Sequence, residues 1–223
     1  MTLILYHIPD WASSIIRLAL EEQGQPYQLR LMDWDAGDFD APVFRAVNPL
    51  GLIPALETPD GPIFETAAIL LWLNARNGGL APAPTDPARA AFLSWLMFIS
   101  NTVHPTVMAL IHPDRLAGPE AAEAAGRLAL ERLAGQAAHL ETLLTTQTPR
   151  WLTPAQPALG HYIGILLRWA TYLPEDPALR FSLAPFPSLH AALSAHETTP
   201  AACRVAEADA LGPHPYTAPE GPQ

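Results

Sequence analysis

Apolar residues in the first part of the chain recur with the spacing of short strands and helices. Thr2–His7 holds the unbroken run Leu-Ile-Leu-Tyr, which is typical of a buried strand. Ala12–Gln23 carries apolar residues at helical spacing and ends before Gly24, a residue type that commonly stops helices. By the same criteria we predict strands at Tyr27–Leu31, Ala55–Thr58 and Pro62–Phe64, and helices at Val43–Val47 and Glu65–Ala75.

The order of these elements indicates a fold class. A strand, a helix and a strand come first, then a helix, then a hairpin around Asp60-Gly61, then a last helix. A parallel half followed by an antiparallel half, with helices on both faces, matches the thioredoxin-like layout. We therefore predict an α/β thioredoxin-like domain over residues 1–77.

The pattern changes to purely helical after residue 77. A Gly- and Pro-rich stretch predicts a linker over residues 78–86, and an all-α helical domain follows over 87–211. Its first helix is expected to bend near His104-Pro105, since proline removes a helical hydrogen bond. A loop is predicted at His112–Pro119. For the extended tail at 212–223 there are two alternatives: it folds back over the pocket or it is disordered, and disorder is the default. The predicted helices are Pro87–Ile111, Glu120–Leu144, Leu159–Tyr172, Pro187–His196 and Pro200–Ala208.

Charge and composition exclude several classes of function. The formal net charge of -10 argues against a nucleic-acid or anionic-membrane partner. All 12 basic residues are Arg, so no Lys is present to form a Schiff base. Cys203 is the single cysteine, which excludes an intramolecular disulfide and a thiolate metal cage, and we expect it to be a small packing residue.

The N-terminus and the acidic loop lead to two further expectations. The first residues lack the layout of a signal peptide, and the apolar runs fall short of the ~20 residues that span a bilayer, so we predict a cytoplasmic protein. The Asp33–Asp40 loop lacks the glycine and terminal glutamate of a calcium loop, and we expect no metal there.

Two short motifs carry the strongest functional signal. Asn48–Leu56 contains an Ile53-Pro54 bond, which can be cis at low cost and would then present the Ile53 backbone to a ligand. Glu65-Thr66 opens an apolar helix, where a carboxylate and a hydroxyl lie beside free backbone N–H groups. Together they predict a site for a small zwitterionic peptide.

These motifs, in this order, resemble the glutathione S-transferase family, and its bacterial members most. The Asn48–Pro54 segment is similar to the cis-proline loop of that family, and Glu65–Ile69 to its Glu-Ser signature. Phe98–Pro105 is similar to the first helix of the helical domain. The resemblance covers the chain to about residue 211 and implies the two-domain transferase fold.

The resemblance also implies roles for particular residues. The family uses glutathione as a co-substrate, needs no metal, conjugates electrophilic small molecules in detoxification and commonly forms homodimers. The predicted glutathione-binding residues are Leu52, Ile53, Pro54, Glu65, Thr66, Asn101 and His104, and the predicted walls of the substrate pocket are Asp10 and Trp11. Leu52 stands where the family usually has a polar residue, so one contact to the glycyl carboxylate is expected to be missing.

The loop between Pro9 and Ser14 departs from the family at the thiol-activating position. The two usual positions fall on Asp10 and Ala12, which offer neither a hydroxyl nor a thiol. An ionised carboxylate about 6 Å from the sulfur would oppose thiolate formation by roughly 2.8 kcal/mol at an effective dielectric of about 20, unless it points away or caps the helix. The remaining candidates for the catalytic role are Tyr6 and Ser13.

Three functions therefore compete at this point. The first is a glutathione transferase that attacks electrophiles with the thiolate. The second is another glutathione-dependent enzyme: a peroxidase, disulfide reductase, isomerase or dehalogenase. The third is a fold relative that binds a ligand or partner without catalysis, which the missing hydroxyl at Asp10 favours.

Overall fold

The computed structural model describes residues 2–220 and begins with a four-stranded mixed sheet. The strand order is β2-β1-β3-β4, with β1 parallel to β2 and antiparallel to β3, and β3 antiparallel to β4. The strands are β1 (Leu3–His7), β2 (Tyr27–Leu31), β3 (Ala55–Thr58) and β4 (Gly61–Phe64). The helices between them are α1 (Ser13–Glu22) and α2 (Pro42–Arg45), and α3 (Thr66–Asn77) follows β4.

The sheet separates two hydrophobic cores. Leu3, Leu5 and Leu56 face the larger core, which α1, α3 and the C-terminal helices share. Tyr6 and Ala55 face a smaller core with Phe44 of α2, because neighbouring residues of a strand point to opposite faces. The predicted element order of the N-terminal part is confirmed.

The C-terminal part is helical, as predicted. Its helices are α4 (Arg89–Phe98), α5 (His104–Ile111), α6 (Pro113–Ala117), α7 (Ala122–Thr146), α8 (Ala158–Tyr172), α9 (Pro187–Glu197) and α10 (Pro200–Ala208). Helix α8 is buried along almost its whole length, and α1 packs against both α8 and α10. The fold class, a thioredoxin-like α/β domain followed by an all-α helical region, is confirmed; the domain limits themselves stay a prediction.

Two details of the helical region differ from the sequence-based expectation. The stretch expected to be one helix to Ile111 contains a π-helical turn at Ile99–Val103, directly before Pro105. Pro105 has no N–H to donate to the preceding turn, which accounts for the irregular ladder there. The expected loop at His112–Pro119 contains α6, a short helix with proline in its first turn.

For the described part of the C-terminal tail, the default expectation of disorder is wrong and the alternative of a folded-back tail is found. As far as Glu220, the tail packs back on α8, and Tyr216 is buried against Gly164. The predicted packing role of Cys203 is wrong, because its side chain is exposed on α10. The end of the predicted tail, 221–223, lies outside the described residues. No helix within residues 2–220 has both the length and the apolar character that crossing a bilayer requires.

Candidate functional site

The start of α3 presents free backbone donors next to an exposed carboxylate. Glu65 precedes the helix with a φ of 73°, a left-handed conformation that costs an ordinary residue about 1–2 kcal/mol. No side chain caps α3, and the amides of Thr66 and Ala67 have no acceptor in the described part of the chain. Such a helix end attracts a carboxylate, and the Glu65 carboxylate attracts an ammonium group. The pair therefore suits a zwitterion.

The loop before β3 leaves the backbone of Ile53 unpaired. The Ile53-Pro54 bond is cis, and neither the N–H nor the C=O of Ile53 has a hydrogen-bond partner within residues 2–220. The buried side chain of Asn48 shapes this loop: its Nδ2–H donates to the carbonyl of Leu52 at 2.7 Å, and its Oδ1 accepts from the amide of Leu50 at 3.0 Å. Leu52 itself points outward and is 56% exposed.

Tyr162 of α8 connects the start of α3 to the helical region. Its hydroxyl lies 2.9 Å from Nδ1 of His104, and the hydroxyls of Thr66 and Ser100 also approach it. Burial raises the pKa of Tyr162 to about 12, and the neighbouring hydroxyls of Ser100 and Thr66 partly offset this rise. The side chain is therefore neutral and acts as a bridge between the two parts of the fold.

His104 is brought to this site as an uncharged group. Burial lowers the pKa of His104 to about 4, so that its imidazole is neutral at pH 7. Its Nδ1 is engaged with Tyr162, and its ring lies 5.9 Å from the ring of Trp169. Of the two helical-region residues predicted to approach glutathione, His104 can offer only Nε2, and Asn101 is exposed on the π turn.

The hydroxyl of Tyr6 is held away from any ligand. Tyr6 is only 1% exposed, its O–H donates to Oε1 of Glu57 at 2.7 Å, and Arg30 donates to it at 2.9 Å. Burial and the neighbouring Glu57 carboxylate raise its pKa, which disfavours the phenolate. The geometry thus argues against the catalytic role predicted for Tyr6.

Ser13 is likewise fully buried. Its Oγ lies 2.9 Å from Nδ1 of His7 and 3.2 Å from both the amide and the carbonyl of Ile8. His7 in turn contacts Asp209 at 3.2 Å, and Arg17 pairs with the same carboxylate. This network fastens β1 and α1 to the end of α10, and it argues against the catalytic role predicted for Ser13.

Asp10 points away from α1, towards α8. Its carboxylate accepts from Nε and Nη2 of Arg168 at 2.9 and 3.0 Å, and also from the hydroxyl of Tyr172. The indole N–H of Trp169 donates to its carbonyl at 2.8 Å. The carboxylate expected to oppose thiolate formation is therefore paired with a guanidinium.

Asp10 and Trp11 both line a cavity of about 780 Å³ between the β1–α1 loop, α8, α10 and the tail. Trp11 is 41% exposed, and its ring packs against Trp34 and Phe39 at centroid distances of 6.0 and 6.1 Å. A partly exposed aromatic wall suits an apolar ligand. The structure thus brings together the two residues predicted for a substrate pocket.

The start of α1 offers a backbone hydrogen-bond donor, whereas the side chains of Asp10 and Ala12 offer no hydroxyl to a thiolate. Ala12 caps α1 without a side-chain hydrogen bond, and the first turn contains no acidic residue. The amides of Ala12 and Ser13 have no acceptor among the described residues. Ala12 is partly exposed whereas Ser13 is fully buried, so the amide of Ala12 is the donor at this helix start that an anion can reach.

Sequence reasoning missed four residues that organise the site: Tyr162, Arg168, Trp169 and Tyr172. All lie on α8, which the sequence identifies only as an apolar helix. Their signal is the presence of polar and aromatic side chains on a helix with no exposed face, because buried polar groups need partners. The sequence does not say which partners these are.

Comparison with known proteins identifies relatives of this arrangement. The family described as "Glutathione S-transferase, N-terminal domain" matches residues 1–75. Glutathione S-transferase F14 of Arabidopsis thaliana is 32% identical over 105 residues, which is 45% of this chain and 41% of that protein. The uncharacterized GST-like protein YncG of Escherichia coli is 32% identical over 121 residues, 53% of this chain and 58% of that protein. The chain thus covers less than two thirds of either relative.

Solved structures match over nearly the whole chain. A glutathione transferase from Methylococcus capsulatus has a TM-score of 0.78 and 27% identity, covering 94% of this chain and 100% of that one. A sphingomonad glutathione S-transferase complexed with glutathione has a TM-score of 0.76 and 27% identity, with the same coverage.

Proposed function

Because the chain belongs to the glutathione S-transferase family, we propose that it binds glutathione at the start of α3 and conjugates it to electrophilic small molecules. The observation that carries the binding part is the exposed Glu65 carboxylate beside the unpaired amides of Thr66 and Ala67. In this proposal, the γ-glutamyl ammonium pairs with Glu65 and its carboxylate with the amides of α3. The unpaired backbone of Ile53 binds the cysteinyl part.

Titration of glutathione, followed by tryptophan fluorescence, tests the binding part. The Glu65→Gln variant removes the charge that attracts the ammonium, and we expect its Kd to rise at least about tenfold, since a hydrogen bond to a charged group contributes about 1.5–3 kcal/mol. Glu131→Gln, on the exposed side of α7, is the matched control and keeps the wild-type Kd. Equal affinity in the two variants would contradict the proposed site.

For the chemistry, we propose that the start of α1, through the amide of Ala12, stabilises the glutathione thiolate. A free thiol has a pKa of about 8.5, so little thiolate exists at neutral pH. A helix N-terminus contributes up to about 2 kcal/mol in partly buried geometries, which lowers the pKa of the thiol by about one unit or slightly more. Thiolate absorbance of the bound glutathione as a function of pH measures this shift.

A second candidate remains, because both predicted catalytic hydroxyls are engaged within the protein. It comprises another glutathione-dependent reaction or binding without catalysis. One relative, the maleylacetoacetate isomerase of Rhizobium meliloti, is 32% identical over 132 residues and carries the name of an isomerase. Turnover of a chlorodinitrobenzene-type electrophile separates the candidates: binding with an unshifted thiol and no turnover would favour the second.

We propose in addition that the protein forms a homodimer through α4 and α7. A groove of about 490 Å³ between these helices is lined by Trp95, Phe98, His139 and Leu143 among others, and Met97 of α4 is 38% exposed. Sedimentation equilibrium should give twice the chain mass. Introduction of a charge by Trp95→Glu should yield monomers, whereas Leu116→Glu, on the exposed surface of α6, should not. The cytoplasmic location stays a prediction.

A further inference from the structure

Asp10 lies close to the start of α1, but its carboxylate does not cap the helix. It lies two residues before Ala12 and has a left-handed φ of 61°. Aspartate near a helix start ordinarily accepts hydrogen bonds from the first free amides. Here α1 has no side-chain cap, and the carboxylate is turned towards α8 instead. Some other group must therefore keep the Asp10 carboxylate from the amide of Ala12.

The group that does so is Arg168. Its side chain is 1% exposed and binds both carboxylate oxygens in a bidentate pair at 2.9 and 3.0 Å, a geometry specific to arginine. The guanidinium also donates to the carbonyls of Leu211 and Glu220, both at 2.9 Å, and to that of Pro215 at 3.4 Å. Arg168 is thus fixed from the tail side and is not free to follow Asp10 elsewhere.

The other charged groups near this loop are already paired. Tyr172 of α8 also donates to the Asp10 carboxylate, and the resulting contact contributes to a raised pKa of Tyr172, behind the larger effect of burial. On α1, Arg17 pairs with Asp209, which follows α10, and His7 of β1 contacts the same carboxylate. Arg168 is therefore the one cation within the described residues that neutralises Asp10.

We propose that Arg168 is a positioning residue of the thiol site: it withholds the Asp10 carboxylate from the start of α1, and so keeps the amide of Ala12 free for the thiolate. The inference rests on the proposed function. Without Arg168, the carboxylate would cap α1 itself and would repel the thiolate. At about 6 Å and an effective dielectric of about 20, that repulsion corresponds to a rise of about two units in the thiol pKa.

The test is the pKa of the bound glutathione thiol, measured by thiolate absorbance in four proteins besides the wild type. Arg168→Met should raise it by one to two units, as estimated from this repulsion. Asp10→Asn and the Asp10→Asn/Arg168→Met double variant should keep it at or below the wild-type value, because no carboxylate remains to compete. Arg204→Met removes another arginine–carboxylate pair, the more exposed Arg204 with Glu21 at the opposite end of α1, and should leave the pKa unchanged.

The double variant distinguishes two roles of Arg168: holding the Asp10 carboxylate away from the start of α1, and only supporting the fold of the loop. If Arg168 only braces the loop, Asp10→Asn will raise the pKa as Arg168→Met does and the double variant will recover nothing; that result overturns the inference. Should Arg168→Met not fold, Asp10→Asn alone decides, because a raised pKa in it contradicts the proposal. Binding by the wild type is measured first: no binding refutes the proposed function and the inference with it, whereas binding with equal pKa in all variants refutes the inference alone.

Discussion

Tyr6 shows how distant neighbours decide what a side chain is free to do. Its place in the first strand made it a candidate for thiol activation, and that place is as predicted. Its hydroxyl, however, is bound by Glu57 and Arg30, which are 51 and 24 positions away in the sequence. Local pattern cannot reveal such partners, because strand pairing determines which residues meet across the sheet.

We therefore expect Tyr6→Phe to leave the chemistry unchanged. Its bound glutathione thiol should have the wild-type pKa, and turnover should remain within about twofold. The lost hydrogen bond to a charged group should lower the free energy of unfolding by about 1.5–3 kcal/mol, as measured by urea denaturation. A raised thiol pKa with unchanged stability would instead identify Tyr6 as catalytic.

The same reasoning applied to Ser13 predicts an effect on stability. Ser13→Ala leaves Nδ1 of the fully buried His7, and the amide of the half-buried Ile8, without their partner. Unsatisfied buried groups cost about 1–3 kcal/mol each, so thermal unfolding should occur at clearly lower temperature. The thiol pKa, compared at a temperature where both proteins are folded, should not change.

At the scale of elements, the bounds of strands and helices were predicted well where the apolar pattern ends at a Gly or a Pro. The strands of the N-terminal part and α8 lie within one or two residues of their predicted bounds, since Gly and Pro mark their ends. The π turn at Ile99–Val103 and α6 were missed. Both adjoin prolines that were interpreted as breakers, although proline is well tolerated in the first turn of a helix.

Helix α8 also explains why the tail is ordered. Two glycines of α8 allow other side chains to pack close to its backbone. A Cβ at Gly160 would lie 2.0 Å from Nε2 of His196, and a Cβ at Gly164 would lie 2.7 Å from the ring of Tyr216. Tyr216 also contacts His161 at 3.0 Å through its hydroxyl. A Pro- and Gly-rich composition predicts disorder. Composition alone cannot show that one aromatic residue of the tail, Tyr216, packs against a glycine of α8, Gly164.

Gly160→Ala tests this close packing. The added methyl group forces His196 out of its place, and we expect a loss of about 1–3 kcal/mol in the free energy of unfolding, which is typical of overpacked cores. Gly135→Ala in α7 is the matched control, because nothing lies within 4 Å of its Cβ position. That variant should gain about 0.5–1 kcal/mol from helix propensity. A stabilised Gly160→Ala would contradict the described packing.

At the scale of the whole molecule, buried histidines make the fold sensitive to acid. Burial lowers the pKa of His104 to about 4, and burial together with the neighbouring His161 lowers that of His196 to about 4. In the unfolded chain, both histidines bind protons near pH 6.5. The contribution of the two neutral histidines to the free energy of unfolding is therefore fully present above about pH 6.5. It is lost as the pH falls towards 4.

The expected loss is roughly 3 kcal/mol for each histidine, because each pKa unit corresponds to about 1.4 kcal/mol. Urea denaturation at pH 7.5, 5.5 and 4.5 measures it. His190→Gln, which alters an exposed histidine of α9, should show the same slope with pH as the wild type. A free energy of unfolding that stays constant from pH 7.5 to 5 would contradict the burial of these two rings.

The sequence thus predicted the architecture better than the chemistry. Glu65, Thr66 and the cis Ile53-Pro54 bond lie in local motifs, and they are found where they were expected. The roles of Asp10 and Tyr162 depend on contacts between β1, α3 and α8, which no local pattern contains. Long-range pairing of buried polar groups is what a single sequence leaves undetermined.

The central claim is a glutathione site at the start of α3, and a crystal structure of the complex tests it most directly. We expect the γ-glutamyl group within hydrogen-bond distance of Glu65 and of the Thr66 amide, the cysteinyl backbone paired with Ile53, and the sulfur near the amide of Ala12. Glutathione bound elsewhere, or a start of α3 that stays empty at saturating glutathione, would contradict it.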